Sequence, residues 1–261
     1  MRLLGPLALL SLAASLWIAK SHVEAREGDP PRMRTIGVLG GIGPQATMDF
    51  EARLHRAAQE RIPARANGGY PPMVVYYHRR PPIVLKESGA PYVPLRPDPE
   101  FLEAARKLGA MSDFLVVVAN GPHGIQAEIE AASGRKVLSL IDVTLEEVRR
   151  RGWKKVGVLG MGDPFVITRP LEALQIEHEI LEADARARLD VEILRVMEGR
   201  DGEGSRRLGE EAVEALRARG VDGVILGCTE LPILLPLLAD APDIINPAEL
   251  LAQAAVRLAL E

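Results

Sequence analysis

Short apolar runs bounded by glycine and proline alternate along this chain with stretches where apolar residues return every three or four positions. The runs have the length of buried strands, and the periodic stretches have the spacing of amphipathic helices. Strands are predicted over 35–39, 73–77, 114–118, 136–140, 155–159 and 223–226. Helices are predicted over 45–61, 99–108, 125–132, 144–151, 168–177, 205–219 and 247–260, while 192–197 fits either a helical turn or a strand. A proline-rich loop joins the second strand to the helix that starts at Pro99, where Pro-Glu is a good first turn. The unbroken run Phe114-Leu115-Val116-Val117-Val118 has no polar face, as expected of a strand covered on both sides. Strand and helix in alternation make an α/β protein with parallel sheets and crossover helices.

The pattern occurs twice. Thr35-Ile36-Gly37-Val38-Leu39-Gly40 resembles Lys155-Val156-Gly157-Val158-Leu159-Gly160, with Pro44 and Pro164 at matching offsets. Residues 113–121 align in the same way with 222–230. A repeat this long does not suit a solenoid and fits two similar α/β lobes. The expected division places 33–139 together with 241–261 in the first lobe and 140–240 in the second. Equivalent strand ends of two related lobes face one cleft, so the aligned positions Ala119 and Cys228 are expected at a single pocket. Such a site is laid out for two cysteines and retains one.

Residues 1–32 stand apart from this pattern. Arg2, an apolar run over 3–19 and the small-residue stretch Val23-Glu24-Ala25 have the three-part layout of a secretory signal peptide. The run is short and contains Gly5-Pro6, so it is not read as a stable membrane span. Met33 opens the first strand directly, and the alternative is an upstream extension that translation skips. The protein is exported or periplasmic in the first case and cytoplasmic in the second.

With 261 residues, 47% of them hydrophobic and 26% charged, the chain has enough apolar material for one large or two modest domains. A net charge of −4 leaves no basic footprint for nucleic acid. One cysteine excludes an internal disulfide, and the lack of a Cys/His cluster argues against a metal site.

Three groups of residues carry candidate chemistry. Gly41-x-Gly43-x-x-Ala46 follows the first strand and opens a helix, which satisfies the dinucleotide fingerprint. His78, Arg79 and Arg80 are then candidates for a 2′-phosphate. The second strand ends too far past the glycines for that motif, and a helix N-terminus that receives a substrate carboxylate uses the same physics. Cys228 lies at a strand's C-terminal end, where open α/β sheets bind ligands. Nearby helix N-termini are expected to lower its pKa and make the thiolate a base or nucleophile. Asn120 and His123 follow the equivalent strand, and His123 is a candidate proton donor near neutral pH. Glu230 is a candidate either for a helix cap or for orienting the neighbours of Cys228, and the cap is the preferred reading.

Taken as a set, these residues resemble the aspartate/glutamate racemase superfamily. The resemblance runs from Arg34 to about Leu260. It rests on Ile36-Gly37-Val38-Leu39-Gly40-Gly41-Ile42-Gly43-Pro44-Gln45-Ala46-Thr47, on Asn120 and His123, on Gly227-Cys228-Thr229-Glu230 and on Asn246-Pro247. It implies two flavodoxin-like lobes with the active site between them, a homodimer, and cofactor-independent chemistry on an amino acid or other small-molecule carboxylate. In that family one cysteine removes the α-proton and a second, on the opposite face, returns one. Cys228 matches the second of these, and Ala119 occupies the place of the first. By the same resemblance Ile42 and Gly43 contact substrate, and Asn120 and Thr229 hold the α-carboxylate. Gly121 stands where threonine is usual, and Arg188 is the nearest cation for a distal carboxylate.

Four functions follow from these features. A racemase or epimerase would set Cys228 against a non-thiol partner, with Cys228 and His123 as its catalytic residues. A one-cysteine decarboxylase or isomerase of the same superfamily would use Cys228 alone, since such enzymes pair it with a small residue like Ala119. A catalytically silent binding protein would keep only the cleft, and a dinucleotide-dependent oxidoreductase would use the glycine loop.

Overall fold

A computed structural model describes residues 32–87 and 91–261, so the leader-like segment before Arg32 lies outside the described residues. Strands β1 (Ile36–Gly40), β2 (Met73–Tyr77), β3 (Phe114–Val117) and β4 (Val137–Leu138) form a parallel sheet in the order β2-β1-β3-β4. Strands β5 (Lys155–Leu159), β6 (Glu177–Glu179), β7 (Gly223–Leu226) and β8 (Ile244–Ile245) form a second parallel sheet in the order β6-β5-β7-β8. The two orders are identical once the strands are matched, which is the duplication expressed as topology.

Even the strand entries are pinned alike. Asp113 accepts the main-chain N–H of Thr35 at 2.7 Å, and Asp222 accepts that of Lys155 at 3.0 Å. These are aligned residues in the two halves.

The helices are α1 (Pro44–Arg61), α2 (Pro99–Gly109), α3 (Gln126–Ser133), α4 (Leu140–Arg151), α5 (Phe165–Ala173), α6 (Ala183–Met197), α7 (Glu203–Arg217), α8 (Leu231–Leu234) and α9 (Pro247–Ala259). Alternate strand residues point to opposite faces, so each central strand feeds two cores. Val116 and Ile225 enter one shared core with Phe50 of α1, Val148 of α4 and Leu251 of α9. On the outer faces, Leu115 and Val117 pack on Phe101 and Ile129, while Val224 and Leu226 pack with Ile193 of α6 and Val213 of α7. Each sheet therefore has helices on both sides, as the continuous apolar strands require.

The structure redraws several predicted elements and adds the unpredicted edge strand β6. The stretch 136–140 is a strand only at Val137–Leu138, because Ser139 caps α4 by accepting the N–H of Asp142 at 3.1 Å. The helix expected over 168–177 stops at Ala173, and Gln175 takes a positive φ of 57° before the edge strand β6 begins. That strand reads Glu-His-Glu, too polar and too short to carry a strand pattern. The ambiguous 192–197 is the end of the 15-residue helix α6. Glu192 lies on its buried side, accepting Ser205 Oγ at 2.5 Å, and so interrupts the apolar stripe. No helix among the described residues is long and apolar enough to cross a membrane.

Candidate active site

All the turns that leave the C-terminal ends of the four central strands meet at one cavity of about 340 Å³. β1 contributes Ile42, β3 contributes Ala119, Asn120 and Gly121, β5 contributes Met161 and Asp163, and β7 contributes Gly227, Cys228, Thr229 and Glu230. Strand C-termini are where parallel sheets leave room for ligands, since the crossover chain must depart there. Ala119 and Cys228 thus share one cavity. Two larger clefts, of about 750 and 730 Å³, lie along α4 and α9 and along α1 and α9, and neither includes a residue of these four strand ends.

Cys228 is 8% exposed, and its Sγ donates to Oε2 of Glu230 at 3.0 Å. Thr229 Oγ1 donates to the same oxygen at 3.2 Å. Glu230 is 1% exposed, and its other oxygen, Oε1, is buried with no hydrogen-bond partner. Burial pushes the thiol well above its ordinary pKa, and the charge of Glu230 pushes in the same direction. Burial also raises the Glu230 carboxyl, against the lowering effect of the Cys228 and Thr229 hydrogen bonds. A lowered thiol pKa is the expectation from sequence. The neighbouring anion and the lack of solvent reverse it.

Glu230 itself reads from sequence as a helix cap. It stands at the N-cap of α8 but makes no side-chain cap bond, and its carboxylate serves the thiol instead. A carboxylate two residues beyond a strand-end cysteine was the available signal, and the abundance of acidic caps masked it.

The glycine loop is shaped around this carboxylate. Gly43, the N-cap of α1, has φ 95°, and a Cβ there would collide with Oε1 of Glu230. A Cβ at Gly41 would strike the main chain of Tyr77 and His78. Thr47 ties the turn together, accepting the Gly41 N–H at 2.8 Å and donating to the Gly43 carbonyl at 3.2 Å. A dinucleotide phosphate would have to approach where an acid already stands. The proposed 2′-phosphate residues are engaged elsewhere: Arg79 lies over the Tyr77 ring at 4.8 Å, Arg80 pairs with Glu100, and His78 is buried against Phe101. The oxidoreductase alternative loses its binding loop.

Asn120 lines the cavity, is 8% exposed, and has neither Oδ1 nor Nδ2 hydrogen-bonded. Buried amides are rarely left so, and an unsatisfied pair of this kind costs free energy unless a ligand or water completes it. The N-terminal ends of α1, at Ile42, and of α5, at Pro164 and Phe165, open on the same space and favour negative charge there.

Other predicted residues lie farther from the cavity. His123 is not among its lining residues. Its Nδ1–H donates to the Ala119 carbonyl at 2.9 Å, and its Nε2 accepts the Leu140 N–H at 3.1 Å. Burial holds its pKa down to about 4, so the ring is neutral and both nitrogens are occupied. Arg188 is exposed on α6 and is not a lining residue either. Among the described residues no cluster of His, Cys, Asp and Glu is arranged to hold a metal ion.

Residues 39–255 match the Asp/Glu/hydantoin racemase family. Among solved structures, the chain is similar to an aspartate racemase from Picrophilus torridus, at 22% identity and TM-score 0.69, over 87% of this chain and 94% of that one. It is similar to an aspartate racemase homologue from Pyrococcus horikoshii OT3, at 23% identity and TM-score 0.65, over 88% of this chain and 100% of that one. A maleate isomerase from Pseudomonas putida S16 shares the fold at 16% identity and TM-score 0.55, over 86% of this chain and 92% of that one.

Proposed function

This chain belongs to the Asp/Glu/hydantoin racemase family, and from that premise we propose that it moves a proton, on one face only, at the carbon next to a substrate carboxylate. The observation that carries the reading is the Cys228 thiol hydrogen-bonded to a buried Glu230 in a cavity whose duplicate position is Ala119. Asn120 Nδ2 and the helix end of α5 receive the carboxylate, since Glu230 already occupies the end of α1. Glu230 accepts the thiol proton at Oε2, leaving a thiolate beside a neutral carboxyl. The thiolate takes the α-proton while the C–H electron pair passes into the carboxylate as an enediolate. Run in reverse, the thiol protonates an enediolate, as a decarboxylase or isomerase needs. Thr229 keeps Glu230 aimed at the sulfur, and His123 holds the Ala119–Asn120 turn against the start of α4.

Full racemisation needs an acid on each face within about 3 Å of the proton it handles. Ala119 has no proton to give, and His123 has both nitrogens committed. A single thiol therefore favours stereospecific exchange or protonation over inversion. Assembly as a homodimer belongs to the same proposal, and a sedimentation mass of one chain would remove it.

The test is α-proton exchange in deuterium oxide across amino acids, substituted acetates and malonates. Stereospecific label is expected, falling by roughly 10²–10⁴ in Cys228→Ala. Undiminished exchange in that variant overturns the role of the thiol. Ligand-induced stabilisation with no exchange on any compound would leave only a binding protein.

A further inference from the structure

We propose that the site selects carboxylates with an apolar side chain, aryl or branched alkyl, over the acidic amino acids. The proposal rests on the reading of this cavity as the active site and concerns what fills the rest of it. Among the described residues no lysine, arginine or histidine lines the cavity, and its two ionisable carboxyls are Glu230 and, at the exposed rim, Asp163. A distal carboxylate would be buried beside an anion with no counter-charge, which is unfavourable in a low-dielectric enclosure. The candidate cations are spent or distant: Arg80 is paired with Glu100, Arg79 is stacked on Tyr77, and Arg188 faces solvent from α6.

The remaining wall is hydrocarbon. Ile83 and Pro91 from the proline-rich loop, Met161, Phe165 and Val166 around the start of α5, and Met197 at the end of α6 enclose the space. Apolar walls with a few convergent polar groups bind a matching apolar ligand by removing both surfaces from water. Asn120 carries the unpartnered side-chain N–H group here, so one carboxylate is anchored and a second is not. The cavity volume of about 340 Å³ suits a small acid with one ring or branched chain.

The experiment titrates the full chain with matched pairs: phenylalanine or leucine against aspartate or glutamate, and phenylacetate against succinate. Dissociation constants come from calorimetry, and α-proton exchange is followed in parallel. At least tenfold tighter binding of the apolar member of a pair is expected. Met161→Lys, a change at a rim residue 40% exposed, is expected to narrow or reverse that preference without unfolding the protein. Tighter binding of aspartate, glutamate or succinate by the unaltered protein overturns the proposal, as does failure of every compound to bind. Apolar binding without exchange would leave this inference standing and sink the catalytic one, whereas exchange confined to acidic substrates would do the opposite.

Discussion

A carboxylate as enclosed as Glu230 is costly as an anion, and that cost sets how the site answers pH. Its folded pKa lies above the usual carboxylate range, so the folded state holds a proton that the unfolded state has already released. Stability is therefore lost as pH rises from ordinary carboxylate values through the raised one, while the basic form needed for catalysis appears over the same interval. Glu230→Gln is expected to lower exchange by about 10²–10³-fold and remove the acid limb of the pH–rate profile. The same variant should unfold at an equal or higher temperature near neutral pH, because it no longer buries a charge. A loss of thermal stability together with retained exchange would show that Glu230 is a structural residue. His123 has the opposite sign. Its folded pKa of about 4 lies below the usual histidine value, so stability is lost as pH falls from about 6.5 toward 4. The effect should be on the order of 2 kcal/mol, trimmed because the residue is only half-buried. Urea midpoints measured across that interval should flatten in His123→Gln.

Two loops and one helix end show which element boundaries the molecule depends on. Gly43 sits at φ 95° with Glu230 against its missing side chain, whereas Gly121 has open space around its Cβ position. Gly43→Ala should cost about 1–3 kcal/mol and displace Glu230, with exchange falling as well. Gly121→Ala should change stability by less than about 0.5 kcal/mol. Equal denaturation midpoints for the two would mean that the turn is more pliable than its geometry indicates. At the end of α4, Arg151 donates to Glu147 at 2.6 Å and to the carbonyls of Pro242 and Ile244 at 2.7 and 3.1 Å, and its guanidinium lies over Trp153. Pairing first with Arg150 and then with Arg151 holds the Glu147 carboxyl down at about 2. Arg151→Ala should lower the urea midpoint by an amount equivalent to about 1–3 kcal/mol with the slope unchanged. Helix starts were legible from sequence at Pro99 behind Asp98 and at Pro247 behind Asn246, though not at α4, which starts at Leu140 behind its cap Ser139 and was expected only from 144. They were missed at α6, whose N-cap Glu182 makes no side-chain bond and whose buried face carries Glu192.

At the scale of the whole molecule, the duplication brings two strand ends from each sheet to the same cavity, those before Ala119 and Cys228 among them, so the role of position 119 can be tested directly. Ala119→Cys should erode the stereospecificity of deuterium incorporation, because a second thiol then opens on the cavity. Label that stays on one face despite a titratable thiol at 119 would mean that the two strand ends do not address the same carbon. The alternation of apolar runs and periodic stretches was enough to specify two similar parallel α/β halves, since burial on both faces and strand-end glycines are local properties of the chain. The same local evidence marked Ala119, Asn120 and Cys228, which follow recognisable strands, whereas Thr229 was named by the family resemblance. What surrounds them depended on residues far apart in the chain. Glu230 lies two residues from the thiol it serves, but the turn that packs against its free oxygen is Gly43, far away in the chain, and His123 became a holding residue only because α4 presents the Leu140 N–H to its ring. The apolar wall without a lysine, arginine or histidine likewise required the proline-rich loop, α5 and α6 to close around one space. Protonation energies are set by desolvation and neighbouring charge, and these are sums over three-dimensional surroundings that a linear pattern does not contain.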